Sequence, residues 1–320
     1  ISQMGANCIR LPFSYRLLAK EYPSDGLIYL KKAFALADKY RIGIILDLHA
    51  APGAQNSDWH SDSMGNALFW EKEKFRKETL NIWDELVSEF KDEPALIGFD
   101  VMNEPVLGNK STAILADFYK NAIQRIKKID KKHTIFLEGD NWAQRIDFLE
   151  ELLEENVSIS IHTYCPLNYT FNYVPFYKFP GEIDKEFWNV EKIERYLEPY
   201  FEFSRKHRVD IFVGEFGVNW RGGHFGEIDY LLGILSVFEK FNFSYTYWTY
   251  KAVSNHVFPD GIYQYIPNNP YVRREGPVYG WENYLDLWAK GKNEIVDFWL
   301  TKNFIPNQAL INALKSFFSK

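Results

Sequence analysis

The chain has 320 residues, 46% hydrophobic and 25% charged, with a formal charge of −6. The acidic balance and the lack of a dense Lys/Arg run exclude a nucleic-acid partner. No apolar run reaches the ~18 residues needed to cross a bilayer, which excludes a membrane-spanning reading. Two cysteines without a CxxC make no disulfide framework: Cys8 reads as a buried inert thiol and Cys165 as one that could reach solvent. An aromatic content of 18%, with 10 Trp and 20 Tyr, fits a protein that stacks flat faces such as sugar rings.

Short apolar runs alternate with longer amphipathic ones, the pattern of a parallel α/β fold. Residues 2–6 read as a helix end with a glycine cap running into a first strand over 6–12. A helix follows over 27–40, with Leu30, Ala33, Phe34 and Ala37 on one face, then a strand over 42–48 and a Gly/Asn/Ser loop. Helix 72–90, strand 96–102 and helix 111–129 come next, with Ser111 as cap, then strand 134–137 and a short helix over 146–155. Strand 157–162 opens into a long aromatic loop to about Trp188. Helix 191–207, strand 211–213, helix 227–241 and strand 243–249 complete the alternation. A long loop to about Trp288 and a helix over 307–319 end the chain.

Seven strands are thus predicted, and an eighth would close a (β/α)8 barrel as a single domain over residues 1–320, its first strand expected upstream of Ile1. An open doubly wound sheet would carry a Gly-rich turn after its first strand. The turn here reads Pro12-Phe13-Ser14-Tyr15.

Polar residues collect where the strands end: Arg10, His49, Asn103, Glu104, Glu138, His162, Tyr164, Glu215 and Trp248. Each alone has a bland explanation, such as a helix-start carboxylate, a structural histidine, an ion-paired arginine or a core tryptophan. Together they converge on one face of a parallel barrel, and an apolar barrel mouth has no structural motive to gather them. Two carboxylates on opposite sides of a mouth can flank a glycosidic bond, one as proton donor and one as nucleophile. Asn103 could bind a sugar hydroxyl, Arg10 and Tyr164 could keep Glu215 ionised, and Trp248 could floor a pyranose ring. Metal chemistry lacks an HExxH or a Cys pair, and neither a GxxxxGK[ST] cradle nor a GxSxG elbow occurs.

The segments "IRLPF", "LDLHAAPGAQN", "GFDVMNEP", "FLEGDNW", "ISIHTY", "VGEFG" and "YTYWTY", in this order, resemble glycoside hydrolase family 5, the cellulase-like retaining barrel hydrolases. The resemblance implies Glu104 as acid/base and Glu215 as nucleophile. It also implies Arg10, His49, Asn103, His162, Tyr164 and Trp248 as the remaining active-site positions, with no metal and no cofactor. Trp59, Trp142 and Trp220 are further candidates for sugar contacts, with a packed loop anchor as the alternative for each. Glu138 reads more as a structural carboxylate, and Asn255, His256 and Glu282 are weaker candidates still.

The expected activity is retaining hydrolysis of a β-linked glucan, endo-β-glucanase-like, with β-glucan or oligosaccharide as the partner, by a monomer. The alternatives are an exo-β-1,3-glucanase, a β-glucosidase or glycolipid-type hydrolase, and a non-catalytic carbohydrate-binding barrel. A polysaccharide substrate would imply secretion and a small one the cytoplasm.

Overall fold

The computed structural model describes residues 1–18, 26–254, 256–266 and 284–318. A 3-10 turn, Ser2–Met4, ends on left-handed Gly5 and leads into β1 (Cys8–Ser14). Next come α1 (Gly26–Tyr40), β2 (Gly43–Ala50), α2 (Glu73–Phe90), β3 (Leu96–Asp100), α3 (Ala113–Ile129), β4 (Thr134–Glu138) and the single turn α4 (Asp140–Ala143). Then β5 (Val157–His162), the turn α5 (Leu167–Thr170), the strands β6 (Gly181–Ile183) and β7 (Glu186–Trp188), α6 (Val190–His207), β8 (Ile211–Phe216), α7 (Glu227–Phe241) and β9 (Ser244–Tyr247) follow. The C-terminal part holds β10 (Lys251–Val253), β11 (Tyr263–Tyr265), α8 (Tyr284–Phe298), β12 (Ile305–Pro306) and α9 (Gln308–Phe318).

Seven strands pair in parallel in the order β1-β2-β3-β4-β5-β8-β9, curling into a nearly closed barrel with helices between them. The sheet's two edges, β1 and β9, face each other without pairing, and a cavity of about 1010 Å³ opens along their seam between Ile9, Leu11, Tyr245 and Tyr247. Among the described residues no helix is long and apolar enough to cross a membrane.

The two-residue period of a strand decides what faces inward. Ile45, Phe136 and Phe212 pack together as an apolar plug, with Phe136 and Phe212 ring centroids 5.1 Å apart. Two residues further along the same strands stand Asp47 and Glu138, so the interior turns from apolar to charged in one step. The alternate residues Ile44, Leu46, Ile135 and Leu137 join the main core. The helices also reach the strand ends: Trp83 of α2 donates Nε1 to Val101 O at 2.9 Å, and Tyr119 of α3 donates its hydroxyl to Glu138 O at 2.9 Å. Packing of the outer shell therefore fixes the backbone that carries the polar layer.

Four local expectations are corrected. The helix predicted over 146–155 is a 3-10 segment, Asp147–Leu152; like charges at Glu150/Glu154 and Glu151/Glu155 oppose an α-helix there. The loop after β5 contains the β6–β7 hairpin, whose turn residues Asp184 and Lys185 both have positive φ without the Asn-Gly signal that announces such turns. The long final loop contains α8, whose period is broken by non-helical Gly291, and strands β10 to β12, which pack Tyr265 against Phe298 and Phe304. Cys165 is buried rather than solvent-reaching, and burial pushes its thiol up to about 12.

Gly98 of β3 passes so close to β4 that a Cβ would lie 2.1 Å from the Thr134 carbonyl oxygen. Gly98→Ala must part the two strands and is expected to cost about 1–3 kcal/mol in a denaturant-unfolding measurement; an unchanged midpoint would show that this seam has slack.

Candidate active site

Arg10 enters the barrel from β1, with 3% of its side chain exposed. Its Nε donates to Asp100 Oδ2 at 2.8 Å, and Nη1 to Glu215 Oε1 at 2.9 Å. Its Nη2 donates to Asn103 Oδ1 at 2.8 Å and Glu138 Oε1 at 2.9 Å, while Nη1 also lies 3.1 Å from Asp47 Oδ2. Burial alone would weaken the guanidinium's hold on its proton, but these four carboxylates raise it well above its ordinary value. The carboxylates respond unequally. Burial, with Glu138 beside it, pushes Asp100 well above the usual range. Asp47 is raised by burial but brought below its ordinary value by Arg10 and His49.

Glu215, near the end of β8, receives Arg10 on one oxygen and the Tyr164 hydroxyl on the other at 2.8 Å. Burial beside Glu215 keeps the Tyr164 phenol well above its usual range, so it remains a donor. The neighbouring Gly214 has no side chain because a Cβ there would lie 2.8 Å from both His162 Nε2 and Ser160 Oγ.

Glu104 sits just beyond β3 in left-handed backbone, φ 46°. For a non-glycine residue this costs of order 1–3 kcal/mol and needs bracing. The bracing is visible. Glu104 N donates to Glu138 Oε2 at 2.6 Å, and Glu104 O accepts from Asn56 Nδ2 at 2.9 Å. Asn103 N donates to Leu48 O at 3.1 Å, and Asn103 O accepts from Gln55 Nε2 at 2.8 Å. Its carboxyl meets an imidazole on each oxygen: His162 Nδ1 lies 2.8 Å from Oε1 and His60 Nε2 lies 3.0 Å from Oε2. Burial would raise the carboxyl, but the two imidazoles bring it well below the usual range. Burial likewise opposes a charge on His162, yet Glu138, Glu215 and Glu104 raise it well above its ordinary value. Both carboxyl oxygens of Glu104 are thus engaged by imidazole nitrogens.

Of the predicted positions, Arg10, Asn103, Glu104, His162, Tyr164 and Glu215 form one network. His49 and Trp248 join its rim as a stacked pair, centroids 5.3 Å apart and 1° from parallel, with His49 Nδ1 at 2.8 Å from Asp47 Oδ2. Trp59 is exposed and touches His60 edge-on, and Trp142 donates Nε1 to Asp58 Oδ2 at 2.8 Å. Trp220 stands apart, its ring packed against the core and its backbone N–H given to Asp260. His256 accepts from Asn172 through its carbonyl; Asn255 and Glu282 lie outside the described residues. Glu138, which the sequence suggests is structural, touches both Arg10 and Glu104 N.

Sequence reasoning missed Asp47, Asp100, Gln55, Asn56 and His60. The two aspartates had a signal, because an acid inside runs such as "IILDL" and "LIGFD" requires a buried partner. The loop residues had none. Among the described residues, the one His/carboxylate group compact enough to consider for a metal is Glu104, His162 and Glu215, whose candidate ligand atoms lie within 4.8 Å of one another. Their oxygens already accept from Arg10, Tyr164 and the imidazoles, so the trio is the carboxylate pair with the imidazole that bridges it.

The sequence profile of "Cellulase (glycosyl hydrolase family 5)" matches residues 1–254. The chain belongs to glycosyl hydrolase family 5. Its relatives in sequence include a β-xylosidase of Phanerodontia chrysosporium, 26% identical over 314 residues, covering 92% of this chain and 61% of that one. Endoglucanase C of Acetivibrio thermocellus is 23% identical over 294 residues, covering 81% of this chain and 84% of that one. This chain therefore spans about three fifths of the β-xylosidase's length. In three dimensions it is similar to endoglucanase Cel5A of Thermotoga maritima, with a TM-score of 0.67 at 20% identity over 98% of this chain and 87% of that one. For this family member the fold and the charged network can be tested together. Arg10→Leu leaves four carboxylates facing one another without the guanidinium, a loss of about 3–5 kcal/mol in unfolding free energy at neutral pH. The deficit is expected to shrink as pH falls, because the stranded carboxyls take up protons more readily folded than unfolded. A deficit that is small, or that grows in acid, would show that Arg10 is not the organising charge.

Proposed function

We propose that this protein is a retaining β-glycoside hydrolase acting on β-linked glucan, with Glu215 as nucleophile and Glu104 as acid/base. One observation supports this reading above the others: carboxylate oxygens of the two glutamates come within 4.8 Å, while their surroundings differ in kind. Retaining enzymes separate the pair by roughly 5–5.5 Å, whereas inverting ones leave roughly 6.5–9.5 Å for a water. Glu215 is met by two donors that do not give up their protons, which suits an attacking carboxylate. Glu104 is met by imidazoles, which do exchange protons, and this suits an acid that becomes a base.

In the first step a Glu215 oxygen bonds to the anomeric carbon as the glycosidic bond breaks, and Glu104 delivers a proton to the departing oxygen. In the second, Glu104 takes a proton from water as the water oxygen bonds to the anomeric carbon and the bond to Glu215 breaks. Asn103 supports the sugar's placement, since its buried Nδ2 has no protein partner while its Oδ1 is fixed by Arg10. A buried donor left unpaired costs about 1–3 kcal/mol, which a substrate hydroxyl would recover. The flat His49–Trp248 pair suits the apolar face of a pyranose.

The endoglucanase relatives favour β-glucan as substrate. A second reading, exo action or hydrolysis of a small β-glycoside, is favoured by contacts that tie the loops of the mouth together. Trp59 of the β2 loop meets Phe258 of the β10–β11 loop at 6.3 Å, Phe258 meets Phe171 of the segment after β5 at 5.3 Å, and Asp58 binds Trp142 of the segment after β4.

A panel of β-1,3-glucan, β-1,4-glucan, mannan and aryl β-glycosides separates the two, because endo cleavage collapses viscosity early and exo cleavage does not. Glu215→Ala is expected to be inactive and Glu104→Ala reduced about 10²–10⁴-fold, with unchanged circular dichroism. Azide should yield the α-glycosyl azide with the first variant and the β-glycosyl azide with the second. Full activity in either variant would contradict the assignment.

A further inference from the structure

His60 lies outside every segment that carries the family resemblance at the strand ends, yet it touches the acid/base carboxyl. It belongs to a 3-10 turn, Trp59–Ser61, in the loop after β2. That turn is rigid. Ser61 donates its hydroxyl to Asn56 O and Asp58 O, each at 2.9 Å. Asn56 Oδ1 accepts from Asp58 N at 2.9 Å and Asn56 Nδ2 donates to Glu104 O at 2.9 Å, which fixes the orientation of the amide. The second hydrogen on Nδ2 then faces His60 Nε2 at 3.0 Å. The same ring nitrogen is 3.0 Å from Glu104 Oε2.

A ring nitrogen placed between an amide donor and a carboxyl oxygen has two protonation states, each of which keeps the bond to the carboxyl. With the proton on Oε2, Nε2 accepts from Glu104 and from Asn56. With the proton on Nε2, it donates to the Glu104 carboxylate, and the second Asn56 N–H is left without its acceptor. The other oxygen differs, because His162, 2.8 Å from Oε1 through Nδ1, stands among Glu138, Glu215 and Glu104, which against its burial raise it well above its ordinary value and favour its role as a donor. Glu104 is therefore bound asymmetrically, with the alternation at Oε2.

We propose that Oε2 of Glu104 and Nε2 of His60 share the single proton delivered to the leaving group, so that His60 is a positioning residue that keeps this proton available. The proposal rests on Glu104 being the acid/base. The groups facing His60 are Glu104, Asn56, Asp58, the more distant Glu215, and the ring edges of His49 and Trp59. Burial alone would lower the imidazole, but the hydrogen bond to Glu104 and the charges of Glu104, Glu215 and Asp58 raise it above its ordinary value. The proton balance closes over the cycle. Oε2 gives the shared proton to the glycosidic oxygen as the bond from Glu215 to the anomeric carbon forms. The pair regains a proton from water when that bond breaks.

The one-proton pair is the active form, so its deprotonation sets the basic limb of the pH–rate profile. Without His60, the carboxyl still faces His162 and loses its proton at lower pH. The test uses the full chain with two probes, phenyl β-cellobioside, whose leaving group needs a proton, and 2,4-dinitrophenyl β-cellobioside, whose leaving group does not. His60→Ala and His60→Gln are each expected to shift the basic limb of kcat/KM on the phenyl probe by about one pH unit or more to the acid side. Both should lose about 10- to 100-fold on that probe at neutral pH, less than full loss of a general acid. The dinitrophenyl probe should change by less than about threefold. Equal losses on both probes, or a wild-type profile in His60→Gln, would overturn the proposal, since an amide can replace a scaffold but cannot store a proton. Glu104→Ala on the same probes is the control. If it shows no leaving-group dependence, the acid/base reading itself has failed. A readout independent of turnover is the 15N titration of the His60 ring, whose midpoint should fall in Glu104→Gln; an unmoved midpoint would also overturn the proposal.

Discussion

One buried guanidinium orders the charged layer of this barrel. Arg10 gathers Asp47, Asp100, Glu138 and Glu215 from four other strands, and fixes Asn103 as well. A buried cation is tolerable only when its partners are placed accurately, and buried carboxylates are tolerable only around a cation. The constraint therefore runs both ways across the barrel, and it sets where Glu215 stands. It also explains why Asp100 is pushed well above the usual carboxylate range, since its burial beside Glu138 outweighs what Arg10 returns.

Glu104 obeys a different constraint. It is held through its backbone rather than through a cation. Its left-handed conformation is clamped by Glu138 from one side and by Gln55 and Asn56 from the other. This leaves the carboxyl to interact with imidazoles, whose protons move. The two glutamates are thus distinguished by what surrounds them. One is fixed among donors that keep their protons and the other among groups that exchange them, the division of labour that the proposed double displacement requires.

The barrel was largely legible in the sequence because its signals are periodic. Runs such as "GIILDLHA" and "VSISIH" alternate between the plug and the helix-facing core, and their polar ends predict a charged mouth. Glu104, Glu215, Arg10, Asn103, His162 and Tyr164 were found for that reason, and they do meet. What stayed hidden depends on long-range contact. His60 and Asn56 lie in a loop without periodicity, and only tertiary folding brings them to Glu104. The α8 helix was obscured by Gly291, and the β6–β7 hairpin by turn residues, Asp184 and Lys185, that do not advertise positive φ. Trp220 packs against the core, the loop-anchor alternative that its place just past a strand end leaves open.

The central claim is that Glu215 forms a covalent bond to the sugar within reach of Glu104. Incubation with 2,4-dinitrophenyl 2-deoxy-2-fluoro-β-cellobioside, followed by peptide mass spectrometry, tests it directly, because the fluorine slows hydrolysis of the intermediate more than it prevents its formation. The account predicts one fluorocellobiosyl group per chain, on the peptide containing Glu215. A label on any other residue, or turnover of β-cellobiosides to the inverted anomer with no label at all, would contradict it.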